Sequence, residues 1–492
     1  MCLKTTNETK KHNEQTEGMA YQQMNRWKSR LKRHRSAMLT GLMQILLFLG
    51  QMYLFFGLMS ITNWPLRNLS RTLGTTLVTY IAMSLAMNAV YGGFDVGRRK
   101  NKPLISALCL STLVTDLVTY LQLQIMNVNE NNNDTLRLFG PDFVWLLISL
   151  AAQAIFIILM VNWANGLYFK MNPPRKVLMV LGDESRREIL QHKIGRYSQQ
   201  WKVEDAILWH DSNLHQRVRH AQVVFLDSEI PNQTRFELLK FCYACHRDII
   251  CKAKLQDIML ASSRQVIIDD APCLEMDFRK MTLWQRIIKR LTDIGSSFLA
   301  LVVLSPLMLL VALAIHLEDR GPVFFRQKRL TVGGRTFTIL KFRTMSQQAS
   351  ASRTQVSATA GDQRITKVGA WLRRFRLDEL PQLWNILVGD MTLVGPRPEM
   401  LENIEKYKAE LPAFAYREKM KAGLTGYAQI EGRYNTTPED KLMMDLMYIE
   451  NFSLWEDVKL IMRTMTVFFK KDSTQGFSVP REEDKPAKDL SA

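Results

Sequence analysis

Four apolar stretches, Met38–Ser60, Leu73–Tyr91, Leu104–Met126 and Phe143–Trp163, constrain this chain more than any other feature. Each is close to the ~20 residues that cross a bilayer as a helix. In hydrocarbon a lone segment must satisfy its own backbone donors and acceptors, and a helix does so. The flanking charge sets the direction. Arg26, Lys28, Arg30, Lys32, Arg33 and Arg35 precede the first stretch; Arg98, Arg99, Lys100 and Lys102 lie between the second and third; Lys170, Arg175 and Lys176 follow the fourth. The other two loops carry only Arg67, Arg71 and Arg137. The excess of Lys and Arg predicts both ends of a four-helix bundle on the cytoplasmic side. No cleavable signal peptide is expected, because the chain is polar until Met38. Asp116, inside the third stretch, is a functional candidate by default. With no second ionisable residue beside it, an interhelical hydrogen bond is the favoured role.

A chain of 492 residues exceeds one ordinary domain. Its net charge of +18 points to nucleic acid, an anionic membrane or phosphorylated substrates. Much of that charge flanks apolar segments, which favours the last two and argues against nucleic acid. The six cysteines form no disulfide pattern, which suits a reducing compartment. Cys242, Cys245 and His246 match haem-attachment spacing, but on an amphipathic stretch they read as ordinary helix residues. From Lys176 to Asp270 short apolar runs alternate with helical stretches: Val177–Leu181, Ala206–Trp209, Val223–Leu226, Ile249–Cys251 and Val266–Ile268. That alternation predicts a parallel, doubly wound sheet. Gly182 follows the first strand, but the rest of a dinucleotide fingerprint is missing, so a structural or regulatory module is expected.

A fifth apolar segment, residues 294–317, has basic residues on both sides. If it spanned, the last third of the chain would lie outside the cell. Ser305 and Pro306 sit at its middle; proline removes a backbone donor and clashes with the preceding turn, so a kink is expected there. Re-entry into one leaflet, with the Ser305 hydroxyl meeting a freed backbone group, keeps both flanks cytoplasmic. A kinked spanning helix is the alternative. Further on, Ser346–Gly361 reads as a mobile loop, and Leu454–Lys471 as an amphipathic helix for the membrane surface or the domain core.

After His316 the chain has neither histidine nor cysteine. A Ser-His-Asp triad, a cysteine nucleophile and a typical zinc site are therefore excluded there. Carboxylates, lysine and hydroxyls are left for the chemistry. Asp378 and Glu379 stand just ahead of Pro381, a residue suited to a helix start. Alone, such a pair is usually a helix cap. Arg373, Arg374 and Arg376 precede it, and two acids beside a phosphate call for a cation, for which Mg²⁺ is suited.

Four blocks carry more information: Lys341-Phe-Arg-Thr-Met345, Arg373 to Asn385, Gly389-Asp-Met-Thr-Leu-Val-Gly-Pro-Arg-Pro-Glu399, and Gly423-Leu-Thr-Gly-Tyr-Ala-Gln-Ile-Glu-Gly-Arg433. In this order, behind a hydrophobic Ser-Pro segment, they resemble the bacterial sugar transferase family, the monotopic phosphoglycosyl transferases, over about Thr282 to Phe477. The resemblance implies that Asp378 is the nucleophile on the β-phosphate of a UDP-sugar. UMP leaves, and polyprenyl (undecaprenyl) phosphate takes the sugar-1-phosphate from the aspartate. It implies Glu379 as a magnesium ligand, and Lys341, Arg343, Arg376, Arg397, Gln429 and Arg433 as phosphate or nucleotide contacts. Asp362 and Arg364 are weaker candidates for closing the site. It also implies similarity to large members that initiate capsule and exopolysaccharide synthesis, with UDP-glucose as donor or UDP-galactose as the alternative, and a possible homodimer. A plain glycosyltransferase releasing UDP, or an inactive scaffold, are the rival readings.

The expected architecture is a basic segment 1–37, four transmembrane helices within 38–170, a Rossmann-like α/β module 171–275, an α/β catalytic domain 282–477 with a re-entrant helix 294–317, and a charged tail 478–492.

Overall fold

The computed structural model describes residues 35–97, 99–130, 139–276, 281–346, 364–432 and 436–467. It divides into two compact units, Met1–Lys252 and Ala253–Ala492.

The first unit opens with α1 (Arg35–Met59), α2 (Arg71–Tyr91), α3 (Asn101–Glu130) and α4 (Pro141–Met171). All four are long and apolar enough to cross a membrane. Ser70 caps α2 by accepting from the Leu73 N–H, and Gly92 ends it in the left-handed conformation. Large side chains interlock between helices: Phe55, Met59, Tyr80, Tyr120, Leu123 and Leu146 are fully or nearly fully buried together. Polar groups line the same interior, where Gln51 donates to Thr112 at 3.2 Å and Gln153 donates to the Gln51 carbonyl at 2.9 Å. Asp116 is wholly buried, with Gln153 of α4 and Tyr80 of α2 beside it. Neither Asp116 carboxylate oxygen has a hydrogen-bond partner among the described residues, so the interhelical hydrogen bond expected from the sequence is not seen.

The remainder of this unit is α/β: β1 (Arg175–Leu181), α5 (Arg187–Gly195), β2 (Trp201–Leu208), α6 (Leu214–His220), β3 (Val223–Leu226), α7 (Asn232–Ala244) and β4 (Asp248–Cys251). The strands pair in parallel in the order β2-β1-β3-β4. Leu178 and Val180 of β1 meet α6 and α7 on one face, while Val177, Met179 and Leu181 meet α5 on the other. The sheet is therefore doubly wound, and its strands are apolar on both faces for that reason. Cys242 is buried in this core as an ordinary helix residue. At the switch point beyond β1 and β3, Arg186 is paired with Asp227 and Glu229, and a Cβ on Gly182 would lie 2.3 Å from that of Glu229.

The fifth expected strand is not in this sheet. β5 (Arg264–Ile268) pairs antiparallel with β6 (Ala271–Glu275) in the second unit, with Ile268 opposite Ala271. Asp269, at φ 58°, forms the tight two-residue turn with Asp270. The helix before it, α8 (Leu255–Ala261), buries Ile258 against Ile404, Phe414, Leu442 and Leu446. The crossover that would return β5 to the parallel sheet is consequently committed to another core.

The second unit is organised on α9 (Leu283–Asp319), the fifth helix of membrane-crossing length. Thr282 and Gln285 cap it reciprocally. The helix runs unbroken through Pro306. Proline leaves the Val302 carbonyl without its usual N–H partner, and the Ser305 hydroxyl donates to it at 2.7 Å. Around α9 lie the antiparallel pair β7 (Phe324–Leu330) and β8 (Thr336–Phe342), α10 (Lys367–Arg374), α11 (Gln382–Val388), β9 (Thr392–Val394), α12 (Leu401–Glu410), β10 (Gly423–Thr425), the short α13 (Tyr427–Ile430), α14 (Pro438–Glu450) and α15 (Leu454–Val467). Lys289 of α9 bonds the Val394 carbonyl at 3.0 Å and Asp457 of α15 at 2.5 Å. Asp293 accepts from Thr392 Oγ1 and the Leu393 N–H. Further along, Ala300, Leu301 and Leu304 pack on β8 and α11, and Val311 and Ile315 pack with Phe342 and Leu372. The helix touches one body along its length. Leu460 of α15 is buried in the core beside β9, while Trp455 and Met465 are exposed. The segment expected as a mobile loop lies, apart from Ser346, outside the described residues.

Candidate active site

Backbone clips place the acidic pair. Asn385 of α11 donates to the Thr338 carbonyl at 2.8 Å and accepts from the Leu340 N–H at 3.0 Å, fixing α11 against β8. Arg376, at φ 53°, turns the chain out of α10. A non-glycine residue held there costs about 1–3 kcal/mol, and such strain gathers at functional sites. Leu377–Glu379 then form one 3-10 turn, a step ahead of α11. Glu379 consequently faces Lys341 of β8, Nζ to Oε1 at 3.0 Å.

The other wall is the Gly395–Glu399 loop between β9 and α12. A Cβ on Gly423 would lie 2.1 Å from the Gly395 nitrogen, so the parallel pair β9–β10 closes only with glycine there. That approach directs Arg397 to Glu379, Nη2 to Oε1 at 3.2 Å. Behind it Arg417 donates to the Arg397 carbonyl at 2.7 Å and pairs with buried Asp445 at 2.7 Å, while Lys441 pairs with Glu399 at 3.3 Å. A small cavity of about 30 Å³ opens between the walls, lined by Arg329, Lys341, Glu379, Gln382, Arg397 and the backbone near Gly423.

The two carboxyls differ electrostatically. Burial, then the neighbouring Glu379 charge, pushes the Asp378 carboxyl above its ordinary range. Burial also opposes ionisation of Glu379, but Lys341, Arg397 and Arg376 outweigh it and hold that carboxyl far below its ordinary range. Glu379 is the fixed anion, and Asp378 titrates closer to neutrality.

Lys341, Arg376, Asp378, Glu379 and Arg397 form one electrostatic cluster. Arg343 is elsewhere: it is buried, pairs with Asp319 and packs its guanidinium on Gly321, locking the end of α9. Gln429 donates to the Gly423 carbonyl at 3.3 Å, supporting the cavity wall from behind. Arg364 joins the backbone bridge below β8, where its carbonyl accepts from the Ser346 N–H. Arg433 and Asp362 lie outside the described residues. Arg329, Gln382, Glu399 and Arg417 were missed at the level of sequence. Gln382 stands three residues after Glu379 in a block already singled out; Arg329 was noted only as charge flanking an apolar segment.

The bacterial sugar transferase family matches residues 284–471. A UDP-N-acetylgalactosamine-undecaprenyl-phosphate N-acetylgalactosaminephosphotransferase of Aeromonas hydrophila is 43% identical over 181 residues, 36% of this chain and 43% of that protein. A UDP-glucose:undecaprenyl-phosphate glucose-1-phosphate transferase of Caulobacter vibrioides is 43% identical over 190 residues, 38% of this chain and 71% of its own length. One of the same name from Escherichia coli is 40% identical over 185 residues, 37% of this chain and 40% of that protein. The shared part thus spans less than half of the Aeromonas and Escherichia proteins, and the residues that match the family, 284–471, include the cluster around Glu379. On that match, over most of the Caulobacter protein's length, the chain belongs to the bacterial sugar transferase family.

Proposed function

We propose that this protein transfers a hexose-1-phosphate from a UDP-sugar to undecaprenyl phosphate through a phosphoryl-aspartate at Asp378, releasing UMP. The observation that carries this reading is the pairing of a half-buried Asp378, raised by desolvation and by its neighbour's charge, with a Glu379 locked among Lys341, Arg376 and Arg397. Such a site has a nucleophile and a cationic wall, as phosphoryl transfer requires. An Asp378 oxygen attacks the β-phosphorus, the bond to the bridging oxygen breaks, and UMP leaves with that electron pair. A phosphate oxygen of the lipid then attacks the same phosphorus in line, and the Asp378 carboxylate is restored. No proton has to move in either step, which suits a site without histidine. UDP-glucose is the favoured donor, the donor named for the Caulobacter and Escherichia relatives.

Among the described residues, no group of three or more His, Cys, Asp or Glu side chains could hold a metal. The adjacent pair does fit Mg²⁺, which takes one or two carboxylates and completes its shell with substrate phosphates and water. Glu379 would hold it, and the ion would offset diphosphate charge. Lys341 and Arg397 orient the phosphates, and Arg376 helps hold Glu379 ionised.

The same reading sets the catalytic unit on the cytoplasmic face with α9 re-entrant. Support comes from packing: both halves of α9 contact one folded body, which suits a helix whose two ends stay on one side. Its free face carries Phe298, Leu299, Val302, Val303, Leu309 and Leu313, all exposed. Trp371, Phe375, Trp384 and Val388 of the neighbouring helices are exposed as well, as interfacial anchors would be.

Purified protein is assayed with a panel of UDP-sugars, Mg²⁺ and undecaprenyl phosphate. UMP release by wild type that is lost in Asp378→Asn is the expected result. Release of UDP would make it a plain glycosyltransferase, and no release from folded protein would favour a scaffold.

A further inference from the structure

We infer that Arg329 and Gln382 form a receptor for a phosphoryl group at the floor of the cavity beside Glu379; the inference rests on the reading above. Both donors are poised and unused. Gln382 is 3% exposed, yet its Nε2 has no hydrogen-bond partner. Arg329 donates to two neutral acceptors, the Pro398 carbonyl at 3.3 Å and Gln327 Oε1, and its buried Nε has none. A buried donor left unpaired is costly, so a native site that keeps two in one cavity keeps them for a ligand.

Charge names the ligand class. Among the described residues Arg329 is in no ion pair, and Arg397, also on the cavity wall, is a like charge to it. Of the carboxylates whose charge reaches Arg329, Glu399 is paired with Lys441 and Glu379 with Lys341 and Arg397. The cavity itself is lined by three cations, Arg329, Lys341 and Arg397, and one carboxylate, Glu379, an excess that a phosphate dianion balances. The fork of Arg329 and the amide of Gln382 suit phosphoryl oxygens rather than a sugar ring, whose hydroxyls would need acceptors as well as donors. Gln382 lies three residues beyond Glu379, so a group held there sits against the acidic pair.

That phosphoryl group belongs either to the nucleotide sugar or to the lipid acceptor. The experiment uses full-length protein in nanodiscs with Gln382→Met, close in shape but without donors, and with Arg329→Gln and Arg329→Lys. Exchange of labelled UMP into UDP-sugar without lipid reports the first step alone; transfer to undecaprenyl phosphate reports both. A rise in KM or fall in kcat of roughly ten- to hundredfold is expected for Gln382→Met and Arg329→Gln, with partial recovery in Arg329→Lys. Impaired exchange assigns the pocket to the nucleotide sugar; normal exchange with impaired transfer assigns it to the lipid phosphate. Both support the receptor. Variants that match wild type in both assays would overturn it, while the phosphotransfer reading would stand. A separate measurement, thermal protection by sodium pyrophosphate, needs no turnover: protection of wild type but not of the variants supports the pocket even if no sugar is transferred, and equal protection counts against it.

Discussion

The division of labour between Asp378 and Glu379 is a residue-scale effect of neighbours. Lys341, Arg397 and Arg376 outweigh burial at Glu379, whereas at Asp378 burial and the Glu379 charge outweigh Lys341, Arg373 and Arg397, so its carboxyl is raised. A nucleophile must be ionised. As pH falls through the raised value, Asp378 takes up a proton and the first step slows, approaching tenfold per pH unit. The pH profile of UMP exchange should therefore show an acid limb with its midpoint above the ordinary aspartate value of about 3.9. Removing the cationic wall by Lys341→Met should weaken turnover by roughly ten- to hundredfold, as loss of a charged contact to phosphate does. It should also raise the Glu379 carboxyl, because Lys341 is the first of the charges that lower it. A midpoint below that of free aspartate, or an unchanged rate in Lys341→Met, would count against these roles.

At the scale of elements, the site depends on clips that propensity does not announce. Asn385 joins α11 to β8 by two hydrogen bonds, each contributing about 1 kcal/mol. Asn385→Ala should lower stability by about 1–3 kcal/mol, leaving two buried backbone groups unpaired, and should misplace Glu379. Thermal melting and UMP release together check this; a stable variant that loses activity would point to direct chemistry by Asn385. The sequence made much of this level legible. Alternation of apolar runs marked the four parallel strands, and the blocks around Lys341, Asp378 and Arg397 mark residues that converge in space. Periodicity could not show that α8 joins a different core, so Val266–Ile268 was placed in the wrong sheet. Nor could it show where a basic side chain points. Arg343 is two residues from Lys341, yet it ties off α9, because beyond β8 it turns toward Asp319 and Gly321. Arg329 carried no distinguishing pattern, since its meaning lies in neighbours distant in sequence.

For the whole molecule, the topology of α9 decides where the catalytic unit works. Single cysteines at Leu283 and Arg320, in a background without the native cysteines, should both react with an impermeant reagent from the cytoplasmic side of membrane vesicles. Labelling from opposite sides would make α9 a spanning helix and remove the cytoplasmic nucleotide from reach. In the first unit Gly182 serves a close approach to Glu229. The central claim is the covalent step. The most direct measurement is intact-mass and peptide mass spectrometry of the protein incubated with UDP-glucose and Mg²⁺ but no lipid acceptor. A hexose-phosphate adduct on the peptide containing Asp378, absent in Asp378→Asn and discharged by undecaprenyl phosphate, is the expected result. UMP release with no adduct at any time would contradict it and leave direct transfer between donor and lipid as the mechanism.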